Sequence, residues 1–482
     1  MRPAARAAAA PAAPSAPERR ALLAIVGVTT ALRLIVAWRL PVLDDEAHYW
    51  VWAQHLMWGY PDHPPVIAGL VALGTRLLGD SGFAIRLGVV LLGTASTLAA
   101  YALARRLFSP AAGLRAALLM QAIPAFAASG IMAAPDGPMG FAWLVAMLAT
   151  WRATRGETWA WPLAGAAAGL AIQCKLAGGA LALGLAGFIL GSPAARRWLR
   201  TPGPYLAALT GLLVVLPLVA WNAGHDWATL RRALAVDPWV LPTTVAGNVL
   251  RLLGAQLVFY APLGFPILIA GLVAAARLAR RDERFQLLLW SAVPTLVAVL
   301  AASTGALAKP HYTGPGLLAG LIAAAGFWPR WRAQRTLRAG LASSAALTLV
   351  VYLLASVPTP LAAELHEPAR GWQRVAVEIE RLLPALGPPG QVFVLAQDYQ
   401  SASQILLATH NRVPVVAPFR GFDLWEPPSA WIDRNGLLVD YLGGAAYARL
   451  SLAFDRLEAP FLVPLRPGVD VRLFPGVRFR GF

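Results

Sequence analysis

The first apolar run of the chain lies in "ALLAIVGVTTALRLIVAWRLPVLDDEAHYW", residues 21–50. Its length is close to the roughly 20 residues that a helix needs to cross a membrane. Three consecutive acids, Asp44, Asp45 and Glu46, follow that run, although only 13% of the chain is charged. The stretch therefore predicts a membrane helix that ends in an acidic segment, and it raises the question of what three adjacent acids do there.

Composition extends this prediction to the whole chain. Of its 482 residues, 58% are hydrophobic, and a soluble protein of this size would carry about 25% charged residues. We expect an α-helical polytopic membrane protein, which makes a nucleic-acid partner a poor explanation of the net charge of +17. The single cysteine excludes an intrachain disulfide. Apolar runs predict roughly eleven transmembrane helices, at 22–40, 83–107, 112–130, 137–151, 160–173, 176–191, 203–221, 249–276, 286–304, 314–328 and 337–356.

The positions of the arginines predict the orientation of these helices. With the N-terminus inside, every predicted inner segment is rich in arginine, as the positive-inside rule requires. This pattern also favours two helices over one long helix in the run 160–191. We predict a disordered basic cytoplasmic tail at 1–21, a transmembrane region at 22–356 and an outer α/β domain at 357–482. The other outer segments are the first loop at 41–82, then 131–136, 174–176, 222–248 and 305–313.

The last 125 or so residues have the pattern of a small mixed domain. "GWQRVAVEIERLLPAL" (371–386) has an amphipathic helical period, and "YQSASQILLATH" (399–410) is also helical. "QVFVLA" (391–396) and "RVPVVAP" (412–418) are predicted strands, followed by the strand-like "PFLVPL" and "DVRLF". A β–α–β unit with further strands predicts a small α/β domain.

Unusual polar residues collect in the predicted outer segments. The chain has 41 lysine and arginine residues, of which only two are lysine, Lys175 and Lys309, and both lie at predicted outer helix ends. An ammonium is a compact charge suited to a phosphate oxygen, so we interpret both lysines as phosphate ligands. The alternative is that they are ordinary lysines that extend to the membrane surface.

The acidic residues of the predicted outer segments could serve either the structure or the chemistry. Three acids exceed what one helix cap needs, which favours a general base among them, although Asp44 could still be the cap. Asp136, in "APDGP", is either a second functional carboxylate or a turn residue. The sequence identifies no cofactor. A divalent metal ion is an open alternative for the outer histidines, although no pair has a diagnostic ligand spacing: His48, His63, His225 and His311.

Taken together, these motifs resemble those of a known family. "DDEAHYWVWAQHLMWGYPDHPP" (44–65) is similar to the first outer loop of the protein O-mannosyltransferase type of membrane glycosyltransferase, glycosyltransferase family 39 with the C-type fold. The bacterial members include the lipid A aminoarabinose transferases. "PDGP", "GLAIQCKLAG", "KPHYTGPG" and the later "QDYQSASQILLATHNRVPVV" follow in the family's order, so the resemblance spans nearly the whole chain.

The resemblance implies a function and a set of site residues. The family transfers a sugar with inversion from a polyprenyl-phosphate donor, without a nucleotide. It implies Asp45 as the general base supported by Glu46, with Asp136 at the second acidic position. Its basic residues hold the lipid phosphate, which assigns Lys175 and Lys309 to that role. It also implies a multi-pass protein of the bacterial inner membrane with a periplasmic C-terminal domain. Four neighbouring residues are expected to line the substrate site: Asp62, His63, His311 and Tyr312.

Two departures and two rival functions remain open. The aminoarabinose transferases have Lys-Pro-Pro where this chain has His63-Pro64-Pro65, and Asp44 stands next to the assigned base as a rival. The acceptor is open among lipid A, another glycolipid, a polysaccharide and a protein. A transporter or flippase for a polyprenyl-linked or anionic lipid is the alternative function, but it would require polar residues at the midplane and related halves. An envelope-assembly scaffold would leave the acids and both lysines unexplained.

Overall fold

The structure is a computed structural model that describes residues 13–235, 244–305, 308–419, 421–441 and 443–482. Within these residues the chain is mostly helical. Its α-helices are α1 (Ala16–Arg39), α2 (Asp44–Gln54), α3 (Val66–Leu78), α4 (Gly82–Leu107), α5 (Pro110–Ala122), α6 (Pro124–Ser129), α7 (Asp136–Thr154), α8 (Ala160–Cys174), α9 (Gly179–Gly191), α10 (Pro193–Arg196), α11 (Gly203–Gly224), α12 (Ala228–Leu234), α13 (Val245–Phe259), α14 (Gly264–Leu278), α15 (Glu283–Gly305), α16 (Gly314–Phe327), α17 (Gln334–Ser356), α18 (Ala363–Leu382), α19 (Tyr399–Ala408) and α20 (Gly444–Ser451).

The chain divides into two compact units. The helical unit comprises the chain up to Ile35, Trp58–Ile67 and Val89–Tyr352. The sheet unit comprises Val36–Met57, Ala68–Gly88 and Leu353–Phe482. The predicted first outer loop therefore contributes residues to both units.

Several described helices have the length and composition of membrane spans. By these criteria α1, α4, α11, α15 and α17 each qualify. Two bent pairs qualify as well: Leu176–Gly191 with Pro193–Arg200, bent by 90°, and α13 with α14, bent by 111°. The prediction of a helical protein with several apolar spans is confirmed. The run 160–191 is two helices, α8 and α9, as the arginine pattern predicts.

Three predicted helix boundaries differ from the structure. The run 112–130 divides into α5 and α6 at Pro124, because proline removes a backbone donor and clashes with the preceding turn. The run 249–276 divides between α13 and α14, where Ala261 has a φ of 70° and Pro262 follows. Helix α1 begins at Ala16, inside the predicted tail, whereas residues 1–12 of that tail lie outside the described residues.

Small residues allow close packing inside the helical unit. A Cβ atom at Gly165 of α8 would overlap the carbonyl oxygen of Ala207 in α11, and Gly169 makes a similar approach to Gly211. Such contacts let helix backbones come together where lipid offers no hydrophobic driving force. Close packing of this kind joins α8, whose last residue precedes Lys175, to α11.

A mixed six-stranded sheet forms the core of the sheet unit. Its strands are β1 (Val392–Ala396), β2 (Val415–Val416), β3 (Asn435–Asp440), β4 (Phe454–Leu457), β5 (Phe461–Arg466) and β6 (Val469–Phe479). The order is β2-β1-β3-β6-β4, with β5 also paired to β6. Strand β1 runs parallel to β2 and β3, and the pairs that involve β6 are antiparallel.

The sheet confirms the predicted strands at 391–396 and 412–418 and the later strand-like runs. Every residue of β1 is buried, as expected for a central parallel strand. Strands β3 and β4 were not predicted. Because the ends of β1 and β3 meet at one edge of the sheet, the residues that follow these strands, Asp398 and Tyr441, come within hydrogen-bonding distance of each other.

Candidate active site

The first turn of α2 brings the three consecutive acids together in the sheet unit. Leu43 has an extended backbone before the helix, and its N–H donates to Glu46 Oε2 at 3.0 Å. Negative side chains in a first turn interact favourably with the helix dipole. The residue that caps the helix is therefore Glu46, whereas the sequence pattern offered Asp44 for this role.

Glu46 is buried in an ion pair with Arg86 of α4. Only 1% of Glu46 and none of Arg86 is exposed, and Arg86 Nε donates to Glu46 Oε1 at 2.8 Å. Arg86 Nη2 also contacts Oε2. The guanidinium donates further to the carbonyls of Ala37 at 3.0 Å and Pro41 at 2.6 Å. Glu46 therefore anchors the start of α2. Because both of its carboxylate oxygens contact Arg86, it can support Asp45 only by holding this helix turn in place.

The two aspartates differ in exposure and in hydrogen bonding. Asp44 is partly buried and accepts a hydrogen bond from Gln404 Nε2 at 2.8 Å. Burial raises the pKa of Asp44 against the effect of Gln404, and the negative charges of Asp45 and Asp398 raise it further. Asp45 is exposed, and its Oδ1 accepts a hydrogen bond from the Tyr399 hydroxyl at 3.2 Å. Of the two, Asp45 is the more accessible to solvent.

The raised pKa of Asp44 leads to a prediction about stability. Because the folded state binds the Asp44 proton more tightly than the unfolded chain does, Asp44 costs stability at neutral pH. This cost falls as the pH drops through the raised pKa, and it is gone only below the ordinary pKa of an aspartate. Asp44→Asn keeps an acceptor for Gln404 without the charge. We expect its melting temperature in detergent to exceed that of wild type by roughly 1–2 °C at pH 7.5, with a smaller gain near pH 4.

The control for this prediction is Asp470→Asn, which changes an exposed aspartate of the same unit. It is expected to leave the melting temperature unchanged at both pH values. An equal gain for Asp44→Asn at the two pH values, or a loss at pH 7.5, would contradict the assignment of the cost to a buried charge.

In the helical unit the structure assembles residues from three predicted outer segments. Lys175 Nζ donates to both carboxylate oxygens of Asp136, at 3.0 and 3.1 Å. The same ammonium lies 5.0 Å from the centre of the Tyr312 ring, a cation–π distance. We call Asp136, Lys175 and Tyr312 the lysine cluster.

Local backbone structure explains how Lys175 and Asp136 reach each other. Helix α8 ends at Cys174, and Lys175 adopts an extended backbone before the next turn begins. Asp136 is the first residue of α7 and precedes the predicted span 137–151. Its partial burial acts to raise its pKa, but Lys175, His311 and His63 hold the pKa of Asp136 below its ordinary value. Asp136 is therefore a carboxylate, and its charge compensates that of Lys175.

Lys309 and Asp62 occupy different environments from the lysine cluster. Lys309 is exposed and forms no ion pair with any residue that the structure describes. Asp62 pairs with Arg232 of α12 at 3.3 Å, and Thr229 of the same helix donates to the Tyr60 carbonyl at 2.7 Å. Asp62 therefore joins the end of the first outer loop to α12, in addition to its predicted role in substrate binding.

The histidines of the predicted outer segments have different surroundings. His48 is buried among aromatic rings, with its Nδ1 3.2 Å from the Ser403 hydroxyl, and it belongs to the sheet unit. His225 stacks on Trp221, with its Nδ1 2.7 Å from the Trp221 carbonyl. Within the described ranges, no group of three or more histidine, cysteine or acidic residues has the geometry of a metal site.

Four residues that contact the predicted site were not predicted from the sequence: Arg86, Arg232, Tyr399 and Gln404. A signal for Arg86 was present, because it is an arginine at the outer end of a predicted span, where the positive-inside rule does not expect one. Tyr399 and Gln404 gave no such signal, since nothing near them in the sequence points to Asp44 or Asp45.

Comparison with known proteins tests the resemblance. Residues 62–221 match the family model described as dolichyl-phosphate-mannose-protein mannosyltransferase. The chain is 28% identical over 332 residues to the lipid A galacturonosyltransferase RgtD of Rhizobium johnstonii, covering 65% of this chain and 67% of that protein. The chain is homologous to these sugar transferases. The resemblance inferred from the ordered motifs is thereby confirmed.

Further comparisons support the homology and the fold. The undecaprenyl phosphate-alpha-4-amino-4-deoxy-L-arabinose arabinosyl transferase of Pseudomonas aeruginosa is 31% identical over 206 residues, which cover 39% of this chain and about a third, 34%, of that protein. The crystal structure of ArnT from Cupriavidus metallidurans bound to undecaprenyl phosphate superposes with a TM-score of 0.67 and 15% identity, over 94% of this chain and 97% of that chain.

A more distant structure has the same fold over a smaller share of its length. The oligosaccharyltransferase of Archaeoglobus fulgidus superposes with a TM-score of 0.52 and 14% identity, over 88% of this chain and 69% of that chain. This sugar transferase homologue therefore has the C-type glycosyltransferase fold, with a sheet in its C-terminal part.

Proposed function

We propose that this protein is a membrane glycosyltransferase that moves a sugar from a polyprenyl-phosphate donor to a glycolipid acceptor of the lipid A class. The observation that carries the proposal is the lysine cluster, which gathers Asp136, Lys175 and Tyr312 from three separate outer segments in a chain homologous to sugar transferases. The lipid A acceptor of the Rhizobium relative supports the acceptor class, and the undecaprenyl-phosphate donor in the name of the Pseudomonas relative supports the donor class.

The proposed reaction is an inverting displacement. An acceptor hydroxyl or amine attacks the anomeric carbon, the bond from that carbon to the phosphate oxygen breaks, and the electron pair leaves with the polyprenyl phosphate. Asp45, the exposed aspartate, takes the acceptor proton as general base. A lysine beside the leaving phosphate stabilises the negative charge that develops on it.

The two lysines differ in how much charge they can offer to a phosphate. Lys175 is already compensated by Asp136, whereas Lys309 is exposed and forms no ion pair with a described residue. We therefore assign Lys309 the larger share of phosphate binding and Lys175 the positioning of Asp136 and Tyr312. His63 and His311 act electrostatically on Asp136 and complete the polar surroundings of this carboxylate.

We also propose the eleven-span topology, with a cytoplasmic N-terminus and a periplasmic C-terminal part, in the bacterial inner membrane. The arginine-rich inner segments support this orientation, and the apolar described helices support a multi-pass protein. A polyprenyl-phosphate donor is too apolar to leave the bilayer, so the reaction belongs at the outer membrane surface, where both lysines and the first-loop acids are predicted to lie.

The test of the function is gene deletion followed by complementation. Mass spectrometry of the lipid A and polyprenyl-phosphate fractions is expected to show the loss of one sugar from lipid A and the accumulation of the donor on deletion. Wild-type protein should reverse both changes. An unchanged mass for every lipid fraction after deletion would overturn the proposal. Sugar transfer that persists in open membrane fragments from the deletion strain would instead favour a transporter.

Replacing Lys309 tests its role in phosphate binding. We expect Lys309→Ala to raise the inhibition constant for undecaprenyl phosphate, used as a competing ligand, by about tenfold, because one charge-assisted contact to phosphate is lost. Lys309→Arg, which keeps the charge, should raise this inhibition constant by less. Arg332→Ala, which removes an exposed charge from a predicted inner segment, is the control and should leave the constant unchanged. Equal inhibition constants for Lys309→Ala and wild type would assign the lysine to the membrane surface alone.

A further inference from the structure

Helix α19 of the sheet unit contacts the acidic start of α2 through three side chains. The Tyr399 hydroxyl donates to Asp45 Oδ1 at 3.2 Å, and Gln404 Nε2 donates to Asp44 Oδ1 at 2.8 Å. Ser403 Oγ lies 3.2 Å from His48 Nδ1. Residues 399, 403 and 404 fall within little more than one turn of α19, so a single helix face meets residues 44, 45 and 48 of α2.

Hydrogen bonds to Asp398 stabilise the start of α19, where Tyr399 lies. Asp398 caps the helix, with its Oδ1 accepting the Ser401 N–H at 2.8 Å. The Tyr441 hydroxyl donates to the other oxygen of Asp398 at 2.9 Å. Burial raises the pKa of Tyr441, and the carboxylates of Asp398 and Asp44 raise it further, so this hydroxyl stays protonated and remains a donor.

Aromatic packing fixes the Tyr399 ring itself. The ring centre lies 4.8 Å from that of His48 and 4.7 Å from that of Phe419. With its ring held on two sides, Tyr399 loses little further freedom when its hydroxyl binds a carboxylate. No described residue donates to the second oxygen of Asp45, Oδ2, which leaves this oxygen available for a proton.

We propose that α19 is the positioning element for the first-loop carboxylates, in which Tyr399 orients Asp45 as the base and Gln404 holds Asp44 away from the reaction. This inference rests on the proposed function. An exposed aspartate without this contact samples several side-chain rotamers, whereas the hydrogen bond to Oδ1 selects one and directs Oδ2 outward. The C-terminal part of the chain thereby contributes to catalysis through Asp45, without touching the reacting atoms itself.

Other charged groups around these carboxylates must be considered in any pH experiment. The titratable side chains that interact with Asp44, Asp45 or their immediate neighbours on α2 are contributed by α2, α4, α19 and the segments that follow β1 and β3: Glu46, His48, Arg86, Asp398, Tyr399 and Tyr441. Tyr399→Phe removes one hydroxyl and leaves all of these other groups in place, which makes it the sharpest change available.

The experiment uses the full-length purified protein in detergent. The substrate mixture is the membrane lipid extract of the deletion strain, which holds both the unmodified acceptor and the accumulated donor, and transfer is followed as a one-sugar mass shift. We expect Tyr399→Phe to lower the turnover rate about tenfold with little change in the apparent KM for donor, because Asp45 is no longer held in the orientation that accepts the proton. The acidic limb of its pH–rate profile should move to higher pH, because a donor to the carboxylate has been removed.

Two further variants make the outcome decisive. Tyr447→Phe changes a tyrosine of the same unit whose ring packs on Phe474 at 5.0 Å, and it should match wild type in rate and pH profile. Gln404→Leu, which frees Asp44, should lose less activity than Tyr399→Phe. Melting temperatures within about 2 °C of wild type would show that each variant is folded.

The outcomes separate the inference from the proposed function. Suppose that wild type transfers sugar and Asp45→Asn does not. If Tyr399→Phe and Tyr447→Phe then have the same turnover rate at every pH, the positioning role is overturned and the proposed function stands. A larger loss for Gln404→Leu than for Tyr399→Phe would also overturn it, because Asp44 would then be the positioned base. If wild type transfers no sugar from this extract, the proposed function itself fails.

Discussion

Asp45→Asn is expected to lower the transfer rate by at least about a hundredfold, because general base catalysis by a positioned side chain contributes 10²–10⁴ to a rate. Asparagine keeps the size of the side chain and still accepts the Tyr399 hydrogen bond, but it cannot take a proton from the acceptor. Because Asp45 is exposed, the loss of its charge should leave the fold intact. Transfer is measured by mass spectrometry with the purified variant and the lipid extract of the deletion strain.

The matched variant for Asp45→Asn is Asp44→Asn. It makes the same chemical change at the neighbouring residue, which the structure places partly buried and bonded to Gln404. We expect it to lose far less activity than Asp45→Asn. If Asp44→Asn is the inactive variant and Asp45→Asn is active, the base is Asp44. If both retain full activity, neither residue is the base and Asp136 becomes the next carboxylate to test.

Arg86→Met is expected to cause the largest loss of stability. It leaves Glu46, only 1% exposed, as a buried charge without its counter-ion, and breaking a buried pair in this way costs about 3–5 kcal/mol. It also removes the donor that binds the carbonyls of Ala37 and Pro41. We expect a melting temperature lower by roughly 5–10 °C and a reduced yield of folded protein, both measured in detergent by fluorescence-detected size exclusion.

Two variants control the interpretation of Arg86→Met. Arg76→Met removes an exposed arginine from α3 in the same unit and should change the stability by less than about 0.5 kcal/mol. The double variant Glu46→Leu/Arg86→Met removes both charges together and should recover much of the loss, because no uncompensated charge remains. A double variant as unstable as Arg86→Met would show that the backbone contacts of Arg86, and not its charge, hold the start of α2.

These two experiments separate two roles that the motif "DDE" combines. The motif resembles a family signature in which the glutamate supports the aspartate, and the structure places the glutamate in a buried pair with both carboxylate oxygens occupied. An activity loss in Glu46 variants would therefore arise through the position of α2. Measuring the melting temperature beside the rate distinguishes this route from a loss of chemistry at Asp45.

Part of the candidate site could be predicted from residue choice alone. Lys175 stood out because the chain uses arginine almost everywhere else, and the structure places it beside Asp136 and Tyr312, two other residues that the sequence singled out. What the pattern did not reveal is that Asp136 compensates Lys175. That contact joins residues 39 apart in sequence across the ends of two helices, and its existence depends on how α7 and α8 pack.

The membrane class and the helical runs could be read from the sequence, because run length is a property of local composition. The arginine placement also predicts the side on which the polar residues gather. The different surroundings of Asp44, Asp45 and Glu46 depend on the tertiary structure. Their partners Gln404, Tyr399 and Arg86 lie 360, 354 and 40 residues away along the chain. Three adjacent acids are nearly equivalent in sequence. They differ in the fold, which buries Glu46 with an arginine, bonds Asp44 to an amide and leaves Asp45 exposed.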